Sequence, residues 1–313
     1  MEQRKLIKLG NSSFAIALPK DWVEKSGLKK GDDIFLERDT NGGIVVASEY
    51  NHHNKINSKT EILTDGKGER EIARDIISAY TRGYEIITVA GEKEKIKLAK
   101  EISKQFVNLE LISVDDKKAT FKDLVDINSI NLQSFIKRMD NNIKDMFITL
   151  ISSLKSKKFS KKTVEEVEDI DRDITKFYFL VWRVMNLGVE NPSVQSSLKM
   201  NPKSFVLNFW ISYNLEQIGD ELKRMSRKIE EHQLDFSAVE KILSSLSVIH
   251  ENSMKAFFDN NKALAKEVIL KRDEINKMCL KLSQQNEYGA IIEKVHQINA
   301  SIHHNSKMIF YEI

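Results

Sequence analysis

Polar and apolar positions alternate in short runs at the start of the chain and recur with a helical period over its second half. RKLIKL (4–9) and SFAIAL (13–18) alternate as half-buried strands do, and DIFLER (33–38) and GIVVAS (43–48) are short strand-like runs. Pro19 ends the second run, because proline has no N–H for a ladder, and its fixed φ suits the first turn of a helix over KDWVEKS. GLKKGD (27–32) reads as the turn into the third strand, and NGG near Asn41 as a hairpin turn. Residues 51–68 are polar and aperiodic and read as a linker. A second pattern occupies 69–126. It begins with a helix carrying Ile72, Ile76, Ile77 and Tyr80 on one side and ending at Gly83. The strand YEIITVA, the helix KEKIKLAKEISKQF, and the strands LELISV and ATFKDLV about a turn at Asp115–Lys118 follow. The order αβαββ predicts a small α/β domain, and no glycine-rich phosphate loop follows either strand.

From about residue 130 to 313 the period is helical. Val167, Ile170, Ile174, Phe177, Val181 and Val184 form one seam, and Ile211, Leu215, Ile218, Leu222, Met225 and Ile229 another, each spaced alternately by three and four. Asn191-Pro192 and Asn201-Pro202 bracket a loop between these helices. Further helices near 131–155, 236–259, 261–285 and 286–311 bring the total to six. LEQIGDELKRMSRKI lies over VHQINASIHHNSKMI, and DITKFYFLV over EINKMCLKL, which predicts an internal repeat of two three-helix bundles. The expected fold is multidomain α+β: residues 1–48, 69–126 and 130–313 as an N-terminal β unit, a small α/β unit and an all-α unit.

Composition narrows the function classes. The 313 residues are 41% hydrophobic and 30% charged, enough apolar material for real cores, and the formal net charge of +3 means that any nucleic-acid-binding surface is local. Cys279 is the only cysteine, so no intrachain disulfide forms, and its position on a seam beside Ile275 and Leu282 reads as a buried thiol rather than a nucleophile. MEQRKLIKLGNSS lacks the apolar core of a signal peptide, and no apolar run reaches the ~20 residues that span a bilayer; a cytoplasmic protein is expected. No serine sits in a Gly-x-Ser-x-Gly elbow and no other catalytic set stands out, so a non-enzymatic role is expected. Met139, Met146, Met185, Met225 and Met254 read as core, Trp182 and Trp210 as anchors of the first bundle, and His296, His303 and His304 as surface histidines.

The stretch RKLIKLGNSSFAIALPKDWVEKSGLKKGDDIFLERDTNGGIVV resembles the SpoVT–AbrB family of DNA-binding domains, a fold also found in antitoxins of the MazE type. The residues that carry the likeness are Gly10-Asn11-Ser12, Leu18-Pro19-Lys20, Trp22, and Gly27-Leu28 to Gly31-Asp32. The resemblance implies a swapped-hairpin β-barrel shared by two copies, which agrees with the inability of some 45 residues to bury an adequate core alone. Such a dimer would present Arg4, Lys5, Lys8 and Lys20, with Asn11 and Ser12 at the tips, to a two-fold-related DNA site. A dimerisation module with an ordinary solvated charge pattern is the alternative.

The stretch NLEQIGDELKRMSRKI resembles the Leu-Glu-Arg-Ile-Gly-Asp motif of the PhoU family of phosphate uptake regulators, with Gln217 in place of the arginine. The repeat length and helix order agree over about 130–311. The resemblance implies gene control linked to phosphate status, with phosphate transporter or sensor components as partners. A signalling adaptor without DNA binding and an antitoxin-like regulator are the alternatives. It also implies a divalent or ferric metal ion on the first bundle. Glu216 and Asp220 match the family's motif. Glu165, Asp169 and Asp173 repeat the four-residue step on the preceding helix, with the match shifted. These acids are placed on outward faces, and a solvated helix face is the plainer reading of them. In the second repeat His296 and Ala300 stand at the corresponding positions, and Asn276 replaces an acid there.

Overall fold

The structure, a computed structural model, describes residues 3–38, 43–48, 59–232, 236–284 and 288–311. The chain divides into two compact units, Met1–Lys55 and Ile56–Ile313.

In the first unit β1 (Ile7–Leu9) and β2 (Ser13–Ala15) form an antiparallel hairpin that pairs Lys8 with Phe14, while Ile7 and Leu9 oppose Ala15 and Ser13. Pro19 is the N-cap of α1 (Lys20–Lys25), in extended conformation, and its carbonyl accepts from Val23 N at 3.1 Å. The GLKKGD turn is fixed by Asp32, whose carboxylate accepts from Lys29 N at 2.7 Å. β3 (Phe35–Arg38) and β4 (Ile44–Ala47) make a second antiparallel hairpin. The turn expected at Asn41–Gly42 lies outside the described residues. The hairpins are separate two-stranded sheets, so within one chain the described residues close no barrel.

The second unit begins with an element that the sequence pattern assigned to a linker. Lys59–Leu63 is β5, one edge strand of a four-stranded sheet ordered β5-β6-β8-β7, with β6 (Ile86–Ala90), β7 (Leu109–Val114) and β8 (Lys118–Asp123). β5 runs parallel to β6; β6 and β7 both pair antiparallel with β8. The order is therefore βαβαββ. In KTEIL only Ile62 is buried, too little apolar periodicity to announce a strand. α2 (Glu69–Thr81) and α3 (Lys93–Ser103) contribute Ile72, Ile76 and Tyr80, and Ile96, Ala99 and Ile102, to a core shared with Ile87, Val89, Ala119 and Phe121 of the sheet.

The helical part holds α4 (Leu132–Lys155), α5 (Lys161–Glu190) and α7 (Pro202–Glu231), which pack on one another, and α8 (Phe236–Phe258), α9 (Lys262–Leu270) and α11 (Gly289–Tyr311), which do likewise. The two sets join through α4 against α8 and α7 against α11. The expected seam of α7 is buried from Ile211 to Ile229; in α5 Val167, Ile174, Val181 and Val184 are buried, and Ile170 and Phe177 partly so. Two boundaries differ from the sequence reading. The segment between the two Asn-Pro pairs folds as α6 (Pro192–Leu198), because Asn191 Oδ1 accepts from Ser193 N at 3.0 Å and Pro192 opens the turn. The helix expected over 261–285 breaks into α9 and α10 (Arg272–Leu282), and the Arg272 carbonyl near the break accepts from Asn299 Nδ2 of α11 at 3.2 Å.

Sheet and bundle are joined at the end of α2. Arg183 of α5, 1% exposed, donates to the carbonyls of Tyr80 (2.5 Å), Gly83 and Tyr84 (3.2 Å each) and pairs with Asp123 of β8 at 2.7 Å. Asn186 Nδ2 donates to Thr81 O at 2.8 Å. A cation here satisfies the open carbonyls of a helix C-terminus and complements its dipole. Gly83, at φ +91°, lets this end approach α5: a β-carbon there would lie 2.5 Å from Leu187 Cδ2.

Candidate nucleic-acid interface and carboxylate cluster

Arg4, Lys5, Lys8, Asn11, Ser12 and Lys20 are all exposed. Lys8 lies on β1; Asn11 and Ser12 form the tip of the first hairpin, which Gly10 enters at φ +68°. Lys20 opens α1, and its ammonium lies 3.6 Å from Glu24. The hairpin thus joins a lysine to two short hydrogen-bonding tips, which suits phosphate and base-edge contact. None of the residues of this unit whose exposure is described is buried. Leu6, Ile7, Leu9, Phe14, Ile16, Leu36 and Ile44 are each more than half exposed, and Ile34 is 40% exposed. An apolar surface of this kind on so small a unit marks an interface awaiting a partner.

The acids of the first bundle are only partly brought together. Glu165, Asp169 and Asp173 are exposed on α5; Glu165 pairs with Lys161, and Asp169 with Arg172. Glu216 and Asp220 of α7 do not face solvent as the pattern indicated; both are partly buried, toward α5. The acid that meets them is Asp171, 5% exposed, which the sequence reading passed over. Gly219 permits the approach, since a β-carbon on it would lie 3.1 Å from Ile174 Cδ1 and 3.4 Å from Asp171 Oδ1. Lys223 Nζ donates to Asp171 Oδ2 and to Asp220 Oδ1, at 2.6 Å each. Burial raises the Asp171 carboxyl above its ordinary range against the opposing bond and charge of Lys223. Burial likewise raises Glu216, helped by Asp220 and Asp171 and opposed by the bond from Gln217. Burial pulls Lys223 down, but its bonds to Asp171 and Asp220 prevail and hold it above the usual lysine value. Among the described residues no group of three or more His, Cys, Asp or Glu side chains is arranged to hold a metal ion.

Other sites emerge only in three dimensions. Asp140 of α4 is fully buried. Its Oδ2 accepts from Lys137 and Lys144 at 2.9 Å each, and its Oδ1 lies 3.1 Å from His250 Nε2 of α8. His303, expected at the surface, is 5% exposed; burial, with Arg272, Lys307 and His304 nearby, pushes it down to about 4. His296 and His304 are exposed. Cys279 is buried, which pushes its thiol up to about 11. Trp210 is 43% exposed rather than an anchor, and Trp182 is partly buried; Trp182 meets the Phe209 ring at a tilt and Trp210 meets it edge-on. No helix among the described residues is long and apolar enough to cross a membrane.

Residues 7–50 match the family model described as antidote-toxin recognition MazE, bacterial antitoxin. The match fits an N-terminal swapped-hairpin DNA-binding domain and supports a DNA-binding or antitoxin-like regulator. Comparison with curated proteins and with solved structures finds no match.

Proposed function

We propose that this protein is a dimeric, DNA-binding transcriptional regulator whose helical half receives a signal. The observation that carries the reading is the N-terminal unit: it matches the antitoxin family over 7–50, and alone it leaves its large apolar side chains uncovered. A second copy supplies the missing cover, since interleaved hairpins remove strand edges and bury both apolar faces. Pairing doubles Arg4, Lys5 and Lys8, whose cations attract phosphate in a salt-dependent way, and sets two hairpin tips in two-fold relation. The likeness of NLEQIGDELKRMSRKI to the PhoU motif supports phosphate status as the signal. Coupling requires that the signal bind the DNA-competent and DNA-incompetent states with different affinity.

The test is charge reversal of Arg4, Lys5 and Lys8 together, read by retention of sheared genomic DNA and by sedimentation. DNA affinity is expected to fall, with the salt dependence flattened by about one unit per lost phosphate contact, while the dimer persists. Undiminished DNA binding by an intact dimer removes these residues from the interface. Enrichment of fragments upstream of phosphate-transport genes would support the phosphate assignment.

The family description favours one further reading, an antitoxin that neutralises a toxin partner. A small toxin encoded beside this protein, inactivated when the two are co-expressed, is the result that distinguishes it.

A further inference from the structure

We infer that Lys223 is the resident cation of the carboxylate cluster between α5 and α7, and that the first bundle works without a metal ion there. The likeness to a metal-binding family points to a metal on this helix pair, but the donor set does not fit one. A hard cation needs several carboxylate oxygens converging on one open point, at about 2.0–2.6 Å. Between Asp171 and Asp220 that point is filled by Lys223 Nζ, 2.6 Å from an oxygen of each. The other Asp220 oxygen takes Arg224 at 2.5 Å, and Gln217 Nε2 donates to Glu216 Oε2 at 2.8 Å. Of the exposed acids of α5, Glu165 and Asp169 are paired on their own helix.

The placement follows from helical spacing. Lys223 stands three residues after Asp220, so its stem rises beside that carboxylate and its ammonium reaches across to α5. A cation carried on the chain is present at high effective concentration and needs no encounter with solution. A free divalent ion would have to displace an ammonium that two carboxylates hold in its charged form. Lys223 thereby supplies the cross-helix bridge that a shared metal would otherwise make, and it makes the α5–α7 contact independent of metal supply. The signal reaching this half is therefore not metal occupancy of the Asp171–Asp220 pair.

The experiment uses the full chain, with Mn2+ as the probe, read by the loss of its free-ion paramagnetic signal and by thermal melting with Mn2+ or with EDTA. Wild type is expected to melt at the same temperature in both. Any Mn2+ it binds is expected to remain in Asp171→Asn. Lys223→Ala is expected to melt lower, because Asp171 and Asp220 then stand without their ammonium, and to shift upward with Mn2+, which the vacated oxygens now hold. Stoichiometric Mn2+ binding by wild type that Asp171→Asn abolishes would overturn the inference. So would a folded Lys223→Ala protein whose melting ignores Mn2+. Should Lys223→Ala not fold, the wild-type and Asp171→Asn titrations decide the matter alone. Neither arm depends on DNA binding, so failure here leaves the proposed regulator role untouched.

Discussion

Asp140, Asp171 and Arg183 show what a single ionic residue on an apolar stripe does in this protein: each is buried, and each fastens its helix to another element. Burial alone would raise the Asp140 carboxyl, but the hydrogen bond and charge of His250, with Lys137 and Lys144, outweigh it and hold the group well below the ordinary carboxylate range. A carboxyl depressed on folding stabilises the native state above its unfolded pKa of about 3.9, and that contribution is lost as pH falls toward the folded value. Asp140→Asn is therefore expected to flatten the acid limb of the stability curve measured by urea denaturation at a series of pH values. Equal slopes in variant and wild type would refute the assignment. The raised carboxyls Asp171 and Glu216 act in the opposite sense, so the comparison must be made against wild type. Part of this was legible. Asp171 stands between Val167 and Ile174 at seam spacing, and Asp140 between Ile136 and Ile143. An acid on an apolar stripe signals a partner, but spacing alone cannot say which helix supplies it. The surface acids Glu165, Asp169 and Asp173 were easier to notice because their four-residue step is regular, and that regularity belonged to the solvent face.

Among elements, the long helices were readable because their apolar residues repeat over many turns; the short ones were not. β5 has a single buried residue and is specified by pairing with β6, a contact remote in sequence. The break between α9 and α10 occurs without proline or glycine and is accommodated by Asn299, twenty-seven residues on. The docking of sheet on bundle was hidden for the same reason: Arg183 reads as an interruption of FYFLVWRVM until the end of α2 is laid against it. Burial raises the Asp123 carboxyl even with Arg183 beside it, so this pair sits where charge is costly. Asp123→Ala leaves the guanidinium buried with carbonyl partners only. It is expected to lower stability by about 3–5 kcal/mol in chemical denaturation. A loss of less than about 1 kcal/mol, typical of an exposed pair, would show that the contact does not hold sheet and bundle together.

At the scale of the whole molecule, the helical part carries a large buried core, while none of the N-terminal residues whose exposure is described is buried within one chain. With the pairing proposed above, folding of that unit is linked to association by mass action. Limited proteolysis over a dilution series should show cleavage within residues 3–48 accelerating as the protein is diluted, with fragments from 59 onward unaffected. A cleavage rate independent of concentration would mean that the unit is closed without a second copy. The uncovered hairpins also bear on turnover. Quality-control proteases act on segments that open and expose apolar surface. A copy that has not met its twin carries such a segment at its own beginning, whereas a paired copy hides it. With the pairing proposed above, orphan chains are expected to be short-lived and paired chains to persist, so the standing amount of the protein would rise more steeply than its synthesis and collapse quickly once synthesis stops.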